Sequence, residues 1–237
     1  MADLSNILDE TGLIVCKLLR RSNLMAGFYL AGGTGLALQL KHRRSLDLDF
    51  FQEKREERIP AREVNIEIKR LFGERSAKPV LKQSDQVIWD IGGTRVAFIA
   101  YPFLLLEPPL DAGTIFRELS GIRVATPREI ALMKAYTLGR RANFRDYIDL
   151  YFLLINAHIT LKEIIEDAEI KFVLHGEKLF STRLFLEQLT YTEDLEDKDA
   201  ALNLLLDQTI TAREVETFLK REVSRFLRDN VLRKEPS

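Results

Sequence analysis

The chain is poor in the residues that announce many kinds of chemistry. It has one cysteine, three histidines and one tryptophan in 237 residues. A lone cysteine excludes an internal disulfide, and no His/Cys spacing matches a zinc site. Cys16 falls in an amphipathic stretch and reads as a small core residue. Neither sign of charge is in excess: 35 Lys and Arg against 36 Asp and Glu leave a formal net charge of -1. That removes a whole-molecule electrostatic case for nucleic-acid binding, so any such contact must use a local patch. No run of about 18 apolar residues is present and no signal peptide is expected before the first helix. The expectation is a cytoplasmic chain with no membrane association. Repeats and low-complexity tracts are also missing. What remains is 46 % hydrophobic and 30 % charged, the composition of a globular protein, and the length allows one large domain or two small ones.

The stretch FYLAGGTGLALQLKHRRSLDLDFF, residues 28–51, stands out from this background. A short apolar run ends in Gly32-Gly33-Thr34, a helix-like segment follows, and a basic turn, Lys41-His42-Arg43-Arg44, leads into an alternating run. Alternation predicts a strand with Asp47, Asp49 and Phe51 on one face and Leu46, Leu48 and Phe50 on the other. Residues two apart on a strand rise about 6.6 Å together, so the two carboxylates stand side by side. Such a pair suits a hard divalent ion, Mg2+ above all, which favours one or two carboxylates plus substrate phosphates. Glycines at a strand-to-helix junction let the backbone approach a ligand, and helix-start N–H groups form an anion site. A phosphate cradle and a carboxylate pair at this spacing point to phosphoryl- or nucleotidyl-transfer chemistry. The bland alternative is a Gly-rich turn and two solvated aspartates on an edge strand.

Around this stretch, helical spacing predicts a helix over 4–22, ended by Asn23, and another over 60–73 with Pro60 in its first turn and Gly73 closing it. Residues 80–82 read as a short strand. Runs 86–91 and 94–103 flank Gly92-Gly93, a hairpin signal. Residues 108–113 read as a loop and 123–125 as a last short strand, giving four or five strands. From Thr126 the pattern is helical: 127–140, 144–157, 160–171, 179–190, 196–206 and 211–233, with Thr192–Lys198 an acidic solvated loop and residues 233–237 frayed.

The helical half carries a second constellation. Lys134 lies on its first helix. On the next, Ile148, Tyr151, Phe152 and Ile155 fall on one stripe, while Asp146 and Asp149, three apart, share another face. Asp149 sits among large apolar residues, where a carboxylate needs a partner. Lys134, Arg141 and Arg145 are the local candidates. Two readings stand: Asp146 caps the helix and Asp149 makes a structural ion pair, or Lys134 reaches phosphates while an aspartate positions an acceptor.

At these residues the chain resembles a known family. Gly33-Thr34 followed, after twelve residues, by Asp47-Leu48-Asp49 resembles the first motif of the polymerase-β-type nucleotidyltransferases. The fuller string Gly32-Gly33-Thr34, His42-Arg43, Ser45, Asp47-Leu48-Asp49-Phe50 is similar to the AbiEii/AbiGii-type nucleotidyltransferase toxins of bacterial abortive-infection and toxin–antitoxin systems. MKAYTLGRRANFRDYIDLYFLL resembles that family's lysine helix and its R/K-D-x-x-D-L-Y-x-L-L helix, placing the lysine at Lys134 and the acids at Asp146 and Asp149. The run from Arg95 to Pro102 resembles a family strand ending in Tyr-Pro. The resemblance spans residues 28 to 155.

The resemblance implies an α+β protein: a small mixed-sheet nucleotidyltransferase core over residues 1–125, then an all-helical half over 126–237 that closes the cleft. It implies transfer of a nucleoside monophosphate from an NTP to an acceptor, with release of pyrophosphate. Gly32, Gly33 and Thr34 would hold the triphosphate, with Arg43, Arg44 and Ser45 beside it, and Asp47 and Asp49 would bind Mg2+ or Mn2+. Arg43 and Arg44 read equally as a solvated basic turn, and His42 as a structural hydrogen-bonding group. Lys134 would neutralise triphosphate charge, with Asp146 or Asp149 orienting it or the incoming hydroxyl. The implied partners are the NTP, an acceptor such as tRNA or another RNA, or a protein, and a cognate antitoxin. Lys134 and Asp149 are expected close together, facing Asp47 and Asp49, and Lys134→Ala is expected to leave the fold largely intact. One departure stands out: the superfamily's third metal carboxylate has no counterpart in Val96–Tyr101, and Asp90 on the preceding strand is a weak substitute. Two rivals follow, a non-catalytic interaction protein retaining the fold and a small-molecule, antibiotic-type nucleotidyltransferase.

Overall fold

The alternating run at Asp47 builds an inner strand of one mixed sheet. The structure, a computed structural model, describes residues 3–141 and 143–230. The chain divides into two compact units, Met1–Thr126 and Pro127–Ser237. In the first, the strands are β1 (Phe28–Leu30), β2 (Asp47–Gln52), β3 (Ala77–Lys82), β4 (Gln86–Ile91), β5 (Thr94–Ile99), β6 (Leu110–Asp111) and β7 (Arg123–Val124). They form one sheet in the order β3-β4-β5-β2-β1-β7-β6. Strand β2 runs antiparallel to β1 and parallel to β5. The helices are α1 (Glu10–Leu19), α2 (Gly32–Leu40) and α3 (Ala61–Ser76).

The period of two in β2 is obeyed. Leu48, Phe50 and Gln52 are buried, while Asp47, Asp49 and Phe51 are half-buried on the other face. Leu48 and Phe50 join Val96 and Phe98 of β5, Trp89 of β4 and Val64 and Ile68 of α3 in the core. Phe50 and Phe98 stack with centroids 5.4 Å apart. At about 1.5–3 kcal/mol per buried large apolar side chain, this face anchors the strand and so fixes where the aspartates stand. Leu46 departs from the expected pattern: it precedes the strand and is exposed.

Several boundaries move for local reasons. The helix expected over 4–22 is split into a 3-10 turn at Leu4–Asn6 and α1, because the Asp9 carboxylate caps α1 by accepting from Gly12 N. Asn23 opens a second 3-10 turn, capped by Ser22, instead of ending a helix. Pro60 is the N-cap of α3, and Gly73 (φ 72°) breaks the helix before one further turn. Gly92 and Gly93 both take positive φ at the hairpin turn, the conformation a two-residue turn demands. The expected loop at 108–113 contains β6, so the sheet has seven strands and exceeds the expected four or five.

The second unit contains α4 (Pro127–Leu138), α5 (Phe144–Asn156), α6 (Leu161–Lys171), α7 (Thr182–Thr190), α8 (Lys198–Leu202) and α9 (Ala212–Asn230). It is not wholly helical: β8 (Val173–Leu174) and β9 (Glu177–Lys178) pair around His175 and Gly176, both at positive φ. Thr160 and Glu163 form a reciprocal capping box on α6. The acidic loop 192–198 has a structural member, since the Asp197 carboxylate accepts from Phe144 N at 3.0 and 3.1 Å at the head of α5. Residues 231–237, with the expected end of the last helix and the frayed tail, lie outside the described residues. Among the described residues no helix is long and apolar enough to cross a membrane.

Candidate functional site

The first candidate site follows from the pairing of β1 with β2. Ala31, just after β1, donates its N–H to the Asp49 carbonyl at 3.0 Å. The next residue, Gly32, opens α2, so that helix begins beside the Asp49 side chain. Gly32 has φ +60°, and a Cβ there would stand 3.0 Å from Asp49 Oδ2. A side chain at this position would be strained and would crowd the carboxylate. The first intrahelical bond runs from Gly35 N to Ala31 O at 3.0 Å, so the N–H groups of Gly32, Gly33 and Thr34 precede the helical ladder. These donors and the positive end of the helix suit an anion.

The basic turn wraps over the same glycines. A Cβ on Gly33 would lie 2.1 Å from Arg43 Nη2, so the bare glycine backbone is what admits the guanidinium. Arg43 is buried and donates to the Arg44 carbonyl at 2.9 Å. The reading as a solvated turn therefore fits exposed Arg44 and not Arg43. His42 is buried. Thr34 and Ser45 are also buried, and Thr34 Oγ1 is hydrogen-bonded to Ser45 Oγ at 2.6 Å and to the Asp47 carbonyl. Their hydroxyls staple α2 to the start of β2.

Asp47 and Asp49 lie on one strand face as expected, half-buried. The neighbouring parallel strand places Arg95 beside Asp47 and Ala97 beside Asp49. Arg95 Nη1 is 3.5 Å from Asp49 Oδ1. Sequence reasoning missed Arg95, because the pairing of β2 with a strand more than forty residues away cannot be read from spacing. The donor set fits a hard divalent cation: two adjacent carboxylates, partly open, beside a helix start able to take phosphate oxygens. Among the described residues no cluster of three or more His, Cys, Asp or Glu forms a metal cage.

The second constellation is a closed knot in the helical unit. Lys134 Nζ on α4 lies 2.6 Å from Asp146 Oδ1 and 2.6 Å from Asp149 Oδ2, both on α5. Its side chain is 7 % exposed, and those of Asp146 and Asp149 are 1 % and 0 %. Arg141 Nε lies 3.1 Å from Asp146 Oδ2 on the exposed side. Burial works to raise the Asp146 carboxyl, but the Lys134 ammonium and the Arg141 guanidinium outweigh it and hold it below its ordinary value. The expected closeness of Lys134 and Asp149 is observed. Asp146 does not cap α5; Asn143 does, accepting from Arg145 N. The buried stripe of α5 is Phe144, Tyr147, Ile148 and Tyr151, with Leu150 and Leu153, whereas Ile155 is 41 % exposed.

The knot also corrects the expectation that Lys134→Ala would spare the fold. Lys134 is a buried bridge between two carboxylates, and removing it leaves two anions without that partner. A second, fully buried pair, Lys171 Nζ to Glu129 Oε2 at 2.6 Å, ties α6 to α4. No sequence signal marked it.

Comparison with known proteins adds three findings. A family model described as "Nucleotidyl transferase AbiEii toxin, Type IV TA system" matches residues 15–234. A protein of Aquifex aeolicus (strain VF5), aq_aa25, described as uncharacterized, is 31 % identical over 202 residues, which are 84 % of this chain and 88 % of that one. MenT4, a nucleotidyltransferase toxin of Mycobacterium tuberculosis H37Rv, shares the fold: its structure superposes with a TM-score of 0.57 at 16 % identity, over 93 % of this chain and 82 % of that one.

Proposed function

This chain belongs to the AbiEii nucleotidyl transferase toxin family of the type IV toxin–antitoxin systems, and from that premise we propose which residues perform the transfer and how. Membership carries a nucleoside triphosphate substrate and an antitoxin counterpart. The proposed reaction moves a nucleoside monophosphate to a hydroxyl of an RNA, such as tRNA, or of a protein, in the cytoplasm. The acceptor oxygen forms a bond to the α-phosphorus, the bond from that phosphorus to the bridging oxygen breaks, pyrophosphate leaves with the electron pair, and the acceptor proton passes to water.

The observation that carries this reading is the start of α2 lying against Asp49 through a glycine whose Cβ would stand 3.0 Å from the carboxylate. The N–H groups of Gly32, Gly33 and Thr34 bind triphosphate oxygens and pay no reorganisation cost at the moment of reaction. Asp47 and Asp49 would hold Mg2+ or Mn2+, which when bound draws charge from the phosphate oxygens. Arg43 holds the glycine turn, and Thr34 and Ser45 hold the strand, so their role is to position. Arg44, exposed, meets phosphate or acceptor. In the helical unit, Asp146 and Asp149 hold the Lys134 ammonium at 2.6 Å each, and we assign this closed knot a positioning role within that unit.

The test is to incubate the protein with each labelled NTP, Mg2+ and either total cell RNA or total protein. Label is expected in one fraction with one or a few NTPs, and none with Asp47→Asn. Expression in a bacterial host is expected to slow growth, with relief by Asp49→Ala at equal protein level. Absence of label with all NTPs in both fractions, together with normal growth, would overturn the reading. Label confined to small molecules would reassign the acceptor.

A further inference from the structure

The face of the sheet that carries Asp47 and Asp49 has a row of charges in strict register. Asp47 of β2 pairs with Arg95 of β5, and Arg95 pairs in turn with Asp90 of β4. Directly paired residues on neighbouring strands project to the same face. The position beside Asp47 on β5 is therefore taken by a guanidinium, and the position beside Asp49, Ala97, is buried and offers no ligand. Asp90 does not substitute. It lies two strands from β2, roughly 10 Å away at about 4.8 Å per strand, and its carboxylate accepts from Gly93 N in the hairpin turn at 3.1 Å.

The two oxygens of Asp49 have different neighbours. Oδ2 faces Gly32, and Oδ1 faces Arg95. The contact with Arg95 is loose: 3.5 Å, with side chains 44 % and 27 % exposed, against about 2.7–2.9 Å for a well-made charge-assisted bond. A guanidinium held this weakly can exchange its carboxylate for a phosphate, whose oxygens its planar fork matches in pairs.

We propose that the site takes a single divalent cation per bound triphosphate, and that Arg95 supplies the second positive charge by contacting the triphosphate directly. This rests on the reading of Asp47 and Asp49 as the metal and nucleotide site. It makes Arg95 the stand-in for one ion of a two-ion clamp. It also fits a site with two carboxylates, which suffice for one Mg2+-type ion that keeps waters and substrate phosphates as its other ligands.

The probes are Mn2+ alone and Mn2+ with inorganic tripolyphosphate, which needs no knowledge of the base. Paramagnetic resonance and calorimetry on the full chain are expected to count one Mn2+ per chain in the ternary complex. Arg95→Ala is expected to leave the affinity for Mn2+ alone unchanged or higher, because a competing cation has gone. The same variant should weaken tripolyphosphate binding in the presence of Mn2+ by about tenfold or more, with partial recovery in Arg95→Lys. Two spin-coupled Mn2+ ions per complex would overturn the proposal. So would an Arg95→Ala variant that loses Mn2+ alone yet binds tripolyphosphate normally at saturating metal, since that is the signature of a mere brace for Asp49. If Asp47→Asn and Asp49→Asn bind both probes like the parent chain, it is the site itself that has been misassigned, and the proposal for Arg95 falls with it.

Discussion

The carboxylates of β2 and those of α5 each meet a cation, at 3.5 Å in one place and 2.6 Å in the other. Asp49 and Arg95 are partly exposed and loosely joined, an arrangement worth about 0–1 kcal/mol to stability. Lys134, Asp146 and Asp149 are sealed from water and joined at close range. There the charges are expensive to bury, and removing one member costs about 3–5 kcal/mol. The open pair can let go of its partner in favour of a ligand; the closed knot holds its members in one geometry. A motif aspartate is thus partly exposed and loosely held in one unit and enclosed at close range in the other, though both read in sequence as aspartate near a basic residue.

The comparison predicts a separation of activity from stability. Asp49→Asn is expected to cut transfer by roughly 10³-fold or more while shifting the melting temperature little, as labelled-NTP transfer and thermal melts on the same preparation would show. A melt that collapses with Asp49→Asn would erase the distinction between the sites. Lys134→Ala is expected to lose about 3–5 kcal/mol in denaturant unfolding, whatever it does to transfer. A variant as stable as the parent chain would make the knot dispensable.

Acid sharpens the contrast. The Asp146 carboxyl is held below its ordinary value in the folded chain. Its contribution is complete above its unfolded value, about 3.9, and is lost as pH falls from there through the lower folded value. Stability measured across that window should fall in the parent chain and fall less steeply in Asp146→Asn. Equal slopes would remove Asp146 from the account of acid sensitivity. Gly32→Ala is a smaller perturbation, costing about 1–2 kcal/mol for a side chain at positive φ and weakening nucleotide binding through the crowded Asp49. Smallest of all is the thiol of Cys16, which burial pushes up to about 12. It should stay unreactive toward a thiol reagent until the chain unfolds.

Much of this was legible in the sequence because it rests on local rules. The alternation at residues 47–51 specified which face the aspartates share, Gly92-Gly93 specified a hairpin, and Pro127 opened the helical half. Lys134, Asp146 and Asp149 were recognisable as a set because helical spacing and the cost of a buried carboxylate both pointed to a partner. Arg95 was not legible as part of the first site, since it acquires its place only when β5 pairs with β2 in one register. The same holds for Lys171 and Glu129, whose side chains are buried only because α4 and α6 pack. The split of the first helix was hidden for another reason. Asp9 could equally have been a solvent-facing residue within a longer helix, and only its bond to Gly12 N makes it a start signal.

The sheet's outer strand has a consequence for solubility. β3 is an edge with Lys78, Pro79, Val80 and Lys82 exposed, and its pairing with β4 is interrupted by a bulge between Pro79 and Leu81. Pro79 offers no N–H, the bulge spoils the spacing of the remaining groups, and the two lysines repel a second copy of the same edge. A strand arriving from another molecule meets no continuous template. The opposite edge, β6, is only two residues long. Both margins of the sheet therefore resist edge-to-edge growth into aggregates.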